Sequence, residues 1–483
     1  MPSVKAMPTI LSAPRRRSGP ATRLAAVLVF LAVESTAVAS LGTPLLPAVQ
    51  QAEHVSLAAS QWTLTITLLT GAVVTPVLGR LGDGRLRRRA TVGAVAVMLA
   101  GCVLSALPAG YAVFLAGRAL QGAGLGLVPL ATAVARDDLP AGRSRHTIAA
   151  IGITTAVGIG VGYPLVGLLA EYLGLYAPFW VVAAMSALAL AAAAAVLPAS
   201  PARPSRLDVP GVVLLGSGIV GLLLALAEGP GWGWTSPATL ACAAGSAALL
   251  AAWAGWELRA RRPLVELRLL RRRAVLAANV TAFGVAVGFY PLASLVVRFV
   301  QAPPGTGYGF GASVLVAGLM LTPFSVASFA ASKVATRAAR HTSAELVVAA
   351  SCVVLIASMV LFLVARGSYA GIVVIMALAG FGVGCVYAVN PLQITGDVPA
   401  DQTGSAMSFY QLVRTVAYSI ASALSATVLV MYIPAGRLLP SNAGYSAAAV
   451  VSIVVLGAAL VASTLFAVPG RPKRGGQVIS AGW

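Results

Sequence analysis

Of the 13 acidic side chains, Glu34 alone falls deep inside an apolar run, and the other twelve stand in loops or near the ends of such runs. Ten residues separate Glu34 from the start of its run at residue 24. At 1.5 Å per residue that is ~15 Å, near the middle of a bilayer. Burial there favours the neutral carboxyl, and a neighbouring arginine favours the carboxylate. A group balanced between those forces loads and releases a proton as its surroundings change, or recognises a cationic ligand. A static ion pair with Arg118 or Arg414 is the plainer alternative.

Arg118, in LAGRALQGAGLG (115–126), lies ~10 Å in from the nearer end of its run. A charge at that depth costs at least ~2.5 kcal/mol on insertion scales and is usually functional or paired; the alternative role is a salt bridge tying the first and fourth spans. Farther along, Met407, Gln411, Arg414 and Tyr418 follow heptad spacing and share one helix face. Tyr387 and Asn390 precede Pro391. Polar groups in a bundle without water must turn toward partners or a cavity. We assign Gln121, Tyr387, Asn390, Gln411, Arg414 and Tyr418 to a substrate cavity, with helix–helix hydrogen bonding as the alternative.

Thr154, Gly158 and Gly162 recur every fourth residue in ITTAVGIGVGYPLVG (153–167), leaving one face nearly bare backbone and permitting close helix contact. Pro164 then removes a helical hydrogen bond and favours a bend. In the loop GRLGDGRLRRR (79–89), Gly79 allows close helix approach, Asp83 is placed to face the positive end of a neighbouring helix, and Arg87 and Arg88 hold the loop at a charged surface.

The elements that carry these residues follow from composition. The chain is 59% hydrophobic and 10% charged with mean hydropathy +0.90, whereas globular domains carry about 25% charged residues. Apolar runs predict membrane helices at 24–48, 60–79, 90–109, 111–134, 147–169, 177–197, 210–227, 237–256, 275–297, 309–331, 344–365, 370–392, 403–432 and 445–467, fourteen in all. With a cytoplasmic N-terminus, 28 of the 33 Lys and Arg lie on the cytoplasmic side, three outside (Arg298, Arg366, Arg437) and two inside spans (Arg118, Arg414). That asymmetry is the positive-inside rule, with both termini cytoplasmic. It also accounts for the net charge of +20 without a nucleic acid. The first run exceeds 20 residues and thirteen more follow, so it is read as a retained helix and not a cleaved signal. The four cysteines (Cys102, Cys242, Cys352, Cys385) fall within spans and read as packing residues. His54, His146 and His341 lie outside the spans and no metal-ligand spacing occurs. No phosphate-loop motif occurs either, so no catalytic set or nucleotide-driven pump is visible and no enzyme is expected.

The stretches 200–208 and 259–273 divide the chain into a six-helix bundle (1–208), an inserted hairpin (209–258) and a second six-helix bundle with a cytoplasmic tail (259–483). TPVLGRLGDGRLRRR (75–89) has a faint counterpart in TPFSVASFAASKVATRAAR (322–340). Two such halves suggest a parallel duplication that rocks about a midplane site.

Gly79, Leu81, Asp83, Arg87 and Arg88 resemble the signature loop of the major facilitator superfamily, with Leu86 where the family usually has Gly. RALQG (118–122) resembles its second motif, and Pro164 with Gly167 its antiporter motif, where Tyr163 and Leu168 replace glycines. VESTAVASLGTPLLP (33–47) resembles the first helix of the fourteen-helix drug:proton antiporters. The resemblance implies an all-α integral membrane fold of 14 helices. It implies Glu34 and Arg118 in proton coupling, Gly79, Asp83, Arg87 and Arg88 as a conformational latch, and Gly158, Gly162, Pro164 and Gly167 as the antiporter element. The expected function is proton-driven export of small amphipathic molecules such as antibiotics, with a nutrient importer of the same fold as the alternative. No cofactor and no metal are expected, the partners being protons, a small-molecule substrate and the lipid bilayer. The expected form is a monomer in the cell membrane.

Overall fold

The computed structural model describes residues 19–82, 84–199, 208–260, 263, 266–398 and 403–466. Among them every regular element is helical. Thirteen stretches are long and apolar enough to cross a membrane. The remaining expected span, 147–169, lies inside the 33-residue helix α7 (Ala141–Leu173).

The first span is broken: α1 (Pro20–Ser40) and α2 (Leu46–Ala52) are separated by a tight turn over Thr43–Leu45, where Gly42 and Pro44 interrupt the α-helical ladder. Then come α3 (Leu57–Gly82), α4 (Arg87–Ala106), and a fourth span made of α5 (Tyr111–Gln121), a glycine-rich tight turn at Gly122–Gly126 and α6 (Leu127–Asp138). After α7 comes α8 (Ala177–Val196), then the hairpin α9 (Val209–Trp232) and α10 (Pro237–Arg259). α11 (Arg273–Phe289) and α12 (Pro291–Gln301) are one span bent at Pro291, followed by α13 (Val314–His341), α14 (Ala344–Ala365), α15 (Tyr369–Asp397), α16 (Thr403–Met431) and α17 (Asn442–Phe466). Asp208, Ser236, Ser313, Ser343 and Ser368 accept a backbone N–H in the first turns of α9, α10, α13, α14 and α15, satisfying donors a helix start leaves free.

The chain runs up and down, so the loops alternate between a basic end (84–86, 139–140, 266–272) and an opposite end with few charges (53–56, 107–110, 174–176, 302–313). One apolar core joins α1, α3, α4, α6 and α8, and another joins α11 through α15 and α17. The hairpin lies on the seam between these groups: Leu215, Ile219 and Leu223 of α9 pack with Leu69 and Ala72 of α3 and with Phe409 and Leu412 of α16. Thr427 of α16 donates to the Leu226 carbonyl at 2.7 Å. α10 is outermost, with Leu240 and Trp256 exposed. Exposed Leu188, Val326, Val360 and Val454 would be a liability in water; in lipid they are the contact surface. All four thiols are free.

Candidate functional site

Glu34 sits on α1 at 0% exposure. Among the described residues neither carboxyl oxygen has a partner at hydrogen-bond distance, and the Ser186 hydroxyl of α8 is the polar group beside it. No ion pair joins Glu34 to Arg118 or Arg414 among the described residues. Cys102 of α4 lies within electrostatic reach of both Glu34 and Arg118, which places the two charges around one thiol.

Arg118 is likewise buried, at 1% exposure. Its Nε donates to the Thr63 carbonyl at 3.1 Å and its Nη1 to Gln121 Oε1. Gln121 Nε2 donates onward to the Gly101 carbonyl (3.2 Å) and Ser105 Oγ (3.1 Å). A Cβ on Gly42 would stand 3.1 Å from Arg118 Nη2, so the break in the first span is where the guanidinium lies. Among the described residues Arg118 therefore has only neutral side-chain and carbonyl partners, and no salt bridge ties the first span to the fourth. Gln121, assigned to a cavity by sequence, is 0% exposed and belongs to this polar box; a helix-facing amide is read correctly only once its neighbours are known.

In the second group of helices Arg414 of α16 stacks 3.6 Å from the centroid of Tyr387. Nη2 donates to Tyr418 Oη at 2.9 Å, Nη1 to Gln411 Oε1 at 3.3 Å, and Nε has no partner. Tyr418 O–H donates to Tyr387 Oη at 2.9 Å. Tyr290 stacks on Tyr418 with centroids 4.8 Å apart, and Phe289 on Phe324 at 5.7 Å. Gln411, Arg414, Tyr418 and Tyr387 are all partly exposed, and the structure brings these four together. Asn390 departs from them: it is 0% exposed and donates to the Ala278 carbonyl (3.0 Å) and Thr281 Oγ1 (3.3 Å) of α11. Three residues along the helix from Tyr387, it serves helix packing. Met407 packs instead against the apolar cluster that holds Leu269, Ile394 and Val398.

The glycines of α7 work on two faces. A Cβ on Gly158 would lie 2.8 Å from Thr36 and one on Gly162 2.3 Å from Ser40 Oγ, both on α1. One on Gly160 would lie 2.5 Å from Ser325, and one on Gly167 2.7 Å from the Val314 carbonyl, both on α13. Across from Pro164, a Cβ on Gly318 would come within 2.6 Å of the Tyr163 carbonyl oxygen. Tyr163 itself lies beside Thr43 and within electrostatic reach of Tyr418.

In the basic loop, Asp83 lies outside the described residues. Arg87 donates to Asp137 Oδ2 at 3.0 Å and to Asp138 Oδ2, and Arg88 to the Ala194 carbonyl at 2.6 Å. These partners all belong to helices α6 and α8. The bond that leaves this group comes from Arg80, which donates to the Pro263 carbonyl. Gly79, expected at a close helix approach, has open space around its Cβ position; the tight spot is Gly82, where Leu130 Cδ2 would be 2.5 Å away. Three residues is most of a helical turn, so the contact stays on nearly the same face and moves one turn closer to the basic loop.

Arg298, expected in an outer loop, is inside α12 at 5% exposure. Nη1 donates to Gln50 Oε1 (3.1 Å), and Nη2 to Ser60 Oγ (2.8 Å) and Gln61 Oε1 (3.3 Å). Gln61 Nε2 in turn donates to Ser422 Oγ at 2.9 Å. Gln301 donates to the Pro44 carbonyl at 3.2 Å. This network knits the two helix groups at the end with few charges. The signal that finds it is the absence of a helix breaker between Leu292 and Pro303, which extends the helix through Arg298. At the same end Tyr176 donates to Glu53 Oε1 at 2.7 Å; burial, then that carboxylate, pushes its phenol up to about 12.

Residues 27–422 match the Major Facilitator Superfamily. The chain is 28% identical over 396 residues to multidrug resistance protein Stp of Mycobacterium tuberculosis, covering 81% of this chain and 72% of that one. It is 32% identical over 273 residues to the tetracenomycin C resistance and export protein of Streptomyces glaucescens, covering 54% and 48%. It is 28% identical over 404 residues to a probable actinorhodin transporter of Streptomyces coelicolor, covering 79% and 68%. The POT family transporter PepTSo superposes with TM-score 0.65 at 15% identity, covering 92% of this chain and 97% of that one, a likeness of fold. A match over most of the length, on a bundle of apolar helices with that fold, makes this multi-pass membrane protein a member of the Major Facilitator Superfamily.

Proposed function

We propose that the chain is a proton-coupled exporter of small amphipathic molecules such as antibiotics, in the cell membrane with both termini cytoplasmic. The observation that carries this reading is Glu34: a carboxyl at 0% exposure with no cation paired to it among the described residues and the neutral Ser186 hydroxyl beside it. An ionised carboxylate without partners is very costly in an apolar interior. Glu34 is therefore neutral in this state, and the proton it holds leaves when the site opens or a substrate changes the field. The side-chain network through Arg298 joins the helix groups at the end opposite the basic loops. With the basic loops cytoplasmic, this is the state closed to the outside and the one that receives substrate from the cytoplasm.

Similarity to a multidrug resistance protein, a tetracenomycin C resistance and export protein and a probable actinorhodin transporter supports export. The energetics suffice without a cofactor: one charge crossing 100 mV supplies ~2.3 kcal/mol, roughly a 40- to 50-fold gradient at ~1.4 kcal/mol per decade. In everted vesicles, adding a transported drug is expected to release protons from the acidified lumen. An importer would take up substrate in whole cells without that drug-triggered flux, which would overturn the proposal.

A further inference from the structure

Arg414 is a cation with no counterion. It lies three residues from the centre, near residue 417, of the 29-residue α16, and no carboxylate among the described residues is within ion-pair distance of it. A guanidinium carries five N–H donors. Gln411 and Tyr418 accept two, and Nε is buried without a partner. The rest of its surroundings is π surface: Tyr387 at 3.6 Å, Tyr410 at 5.6 Å and Tyr418 at 5.8 Å from the guanidinium carbon. Tyr290, stacked on Tyr418, is within electrostatic reach of a second buried guanidinium, Arg118, whose side-chain hydrogen-bond partners among the described residues are also neutral. Two guanidinium groups without an ion pair among the described residues thus lie within reach of one tyrosine stack. The acid of this region, Glu34, is sealed in the other helix group at 0% exposure, whereas Arg414 and its tyrosines are partly exposed.

We infer that the substrate of this transporter is a planar aromatic molecule bearing an acidic group, whose anion pairs with the free edge of Arg414 while its ring stacks on Tyr387, Tyr418 and Tyr290. Guanidinium takes a carboxylate or phenolate oxygen with charge-assisted hydrogen bonds, and an aromatic face is the surface tyrosines bind without strong directional demand. The acidic group also supplies the charge that the mid-membrane arginine lacks, so that loaded carrier is closer to neutral than empty carrier. A cationic aromatic, in contrast, meets two arginines and no accessible acid.

This inference rests on the export reading for the site's role and is tested apart from it. Fluorescein, a planar anion, and ethidium, a planar cation, are titrated against the purified full-length protein in detergent by fluorescence polarisation. Wild type is expected to bind fluorescein saturably and more tightly than ethidium. Arg414→Gln is expected to weaken fluorescein roughly ten- to a hundredfold, the range of a lost charge-assisted contact, and to leave ethidium unchanged or tighter. Arg414→Lys, which keeps the charge without the planar fork, falls between. Tighter ethidium binding by wild type, no saturable fluorescein binding, or wild-type fluorescein affinity in a folded Arg414→Gln protein would each overturn the inference. The wild-type comparison decides it even if Arg414→Gln does not fold. Fluorescein binding without drug-triggered proton release in everted vesicles would sink the export proposal and leave this one standing; proton-coupled export of ethidium alone would do the reverse.

Discussion

Glu171 Oε2 accepts the Leu315 N–H at 3.0 Å, so a carboxylate at the end of α7 caps the first turn of α13, a helix of the other group. Caps of this kind contribute ~0.5–2 kcal/mol, and this one exists only while the two groups touch. Glu171→Ala is expected to raise the population open at this end about fivefold, the effect of ~1 kcal/mol. Glu171→Gln keeps an acceptor and changes less. Spin labels at Tyr172 and Leu438, 71% and 83% exposed, read the separation in a background without the native cysteines. An unchanged distance distribution in Glu171→Ala would remove the cap from the closure.

Arg298 makes three hydrogen bonds to Gln50, Ser60 and Gln61 across the same closure. Arg298→Met removes them while keeping an apolar chain of similar length, and leaves Gln50, Ser60 and Gln61 to find water as that end opens. The long-distance population should exceed that of Glu171→Ala, because hydrogen bonds to a charged group contribute ~1.5–3 kcal/mol each. A large fall in melting temperature with unchanged distances would instead mark Arg298 as a structural residue of α12.

Glu34→Gln separates proton carriage from packing. Both carboxyl oxygens lack partners, so a neutral amide breaks no ion pair and the melting temperature should move by less than about 1 kcal/mol's worth; breaking a buried pair would cost ~3–5 kcal/mol. Drug-triggered proton release should vanish, while exchange of labelled for unlabelled substrate, which needs no net proton movement, persists. Active accumulation by Glu34→Gln would show that another group carries the proton.

Gly318→Ala and Gly79→Ala should differ sharply. The new Cβ on Gly318 would sit 2.6 Å from the Tyr163 carbonyl oxygen, a backbone atom of a helix in the other group, whereas the space around Gly79 is open. Export is expected to fall at least tenfold in the first, by forcing α7 and α13 apart at Pro164. The second should retain activity and gain up to ~1 kcal/mol of helix propensity. Equal export rates in the two variants would refute the close-contact argument.

The apolar runs were readable because hydropathy is a local property, thirteen of the fourteen expected being long and apolar enough to cross a membrane among the described residues, and the bend of α11 into α12 falls at Pro291. The glycine face of 158 and 162 was legible from spacing. Its second face, Gly160 and Gly167 against α13, was not, since nothing near residue 160 names a partner near residue 325. Gln121 and Asn390 carry the same polar amides as Gln411, yet both are sealed between helices at 0% exposure while Gln411 remains partly exposed. Periodicity states which residues share a face and leaves open what that face meets.

By itself, then, the amino-acid order determined that the chain is a series of apolar membrane runs, the up-and-down course they take and the rarity of charge within them, all properties summed along the chain. Tertiary structure alone decided how each buried charge is compensated. Arg118 is held by neutral carbonyl and amide groups, Arg298 by Gln50, 248 positions away, Arg414 by tyrosine faces, and Glu34 by no cation among the described residues, with the Ser186 hydroxyl beside it. In a medium without water, a charge takes its partners from whichever helices pack against it, and packing is set by helix rotation and close approach between segments far apart in sequence.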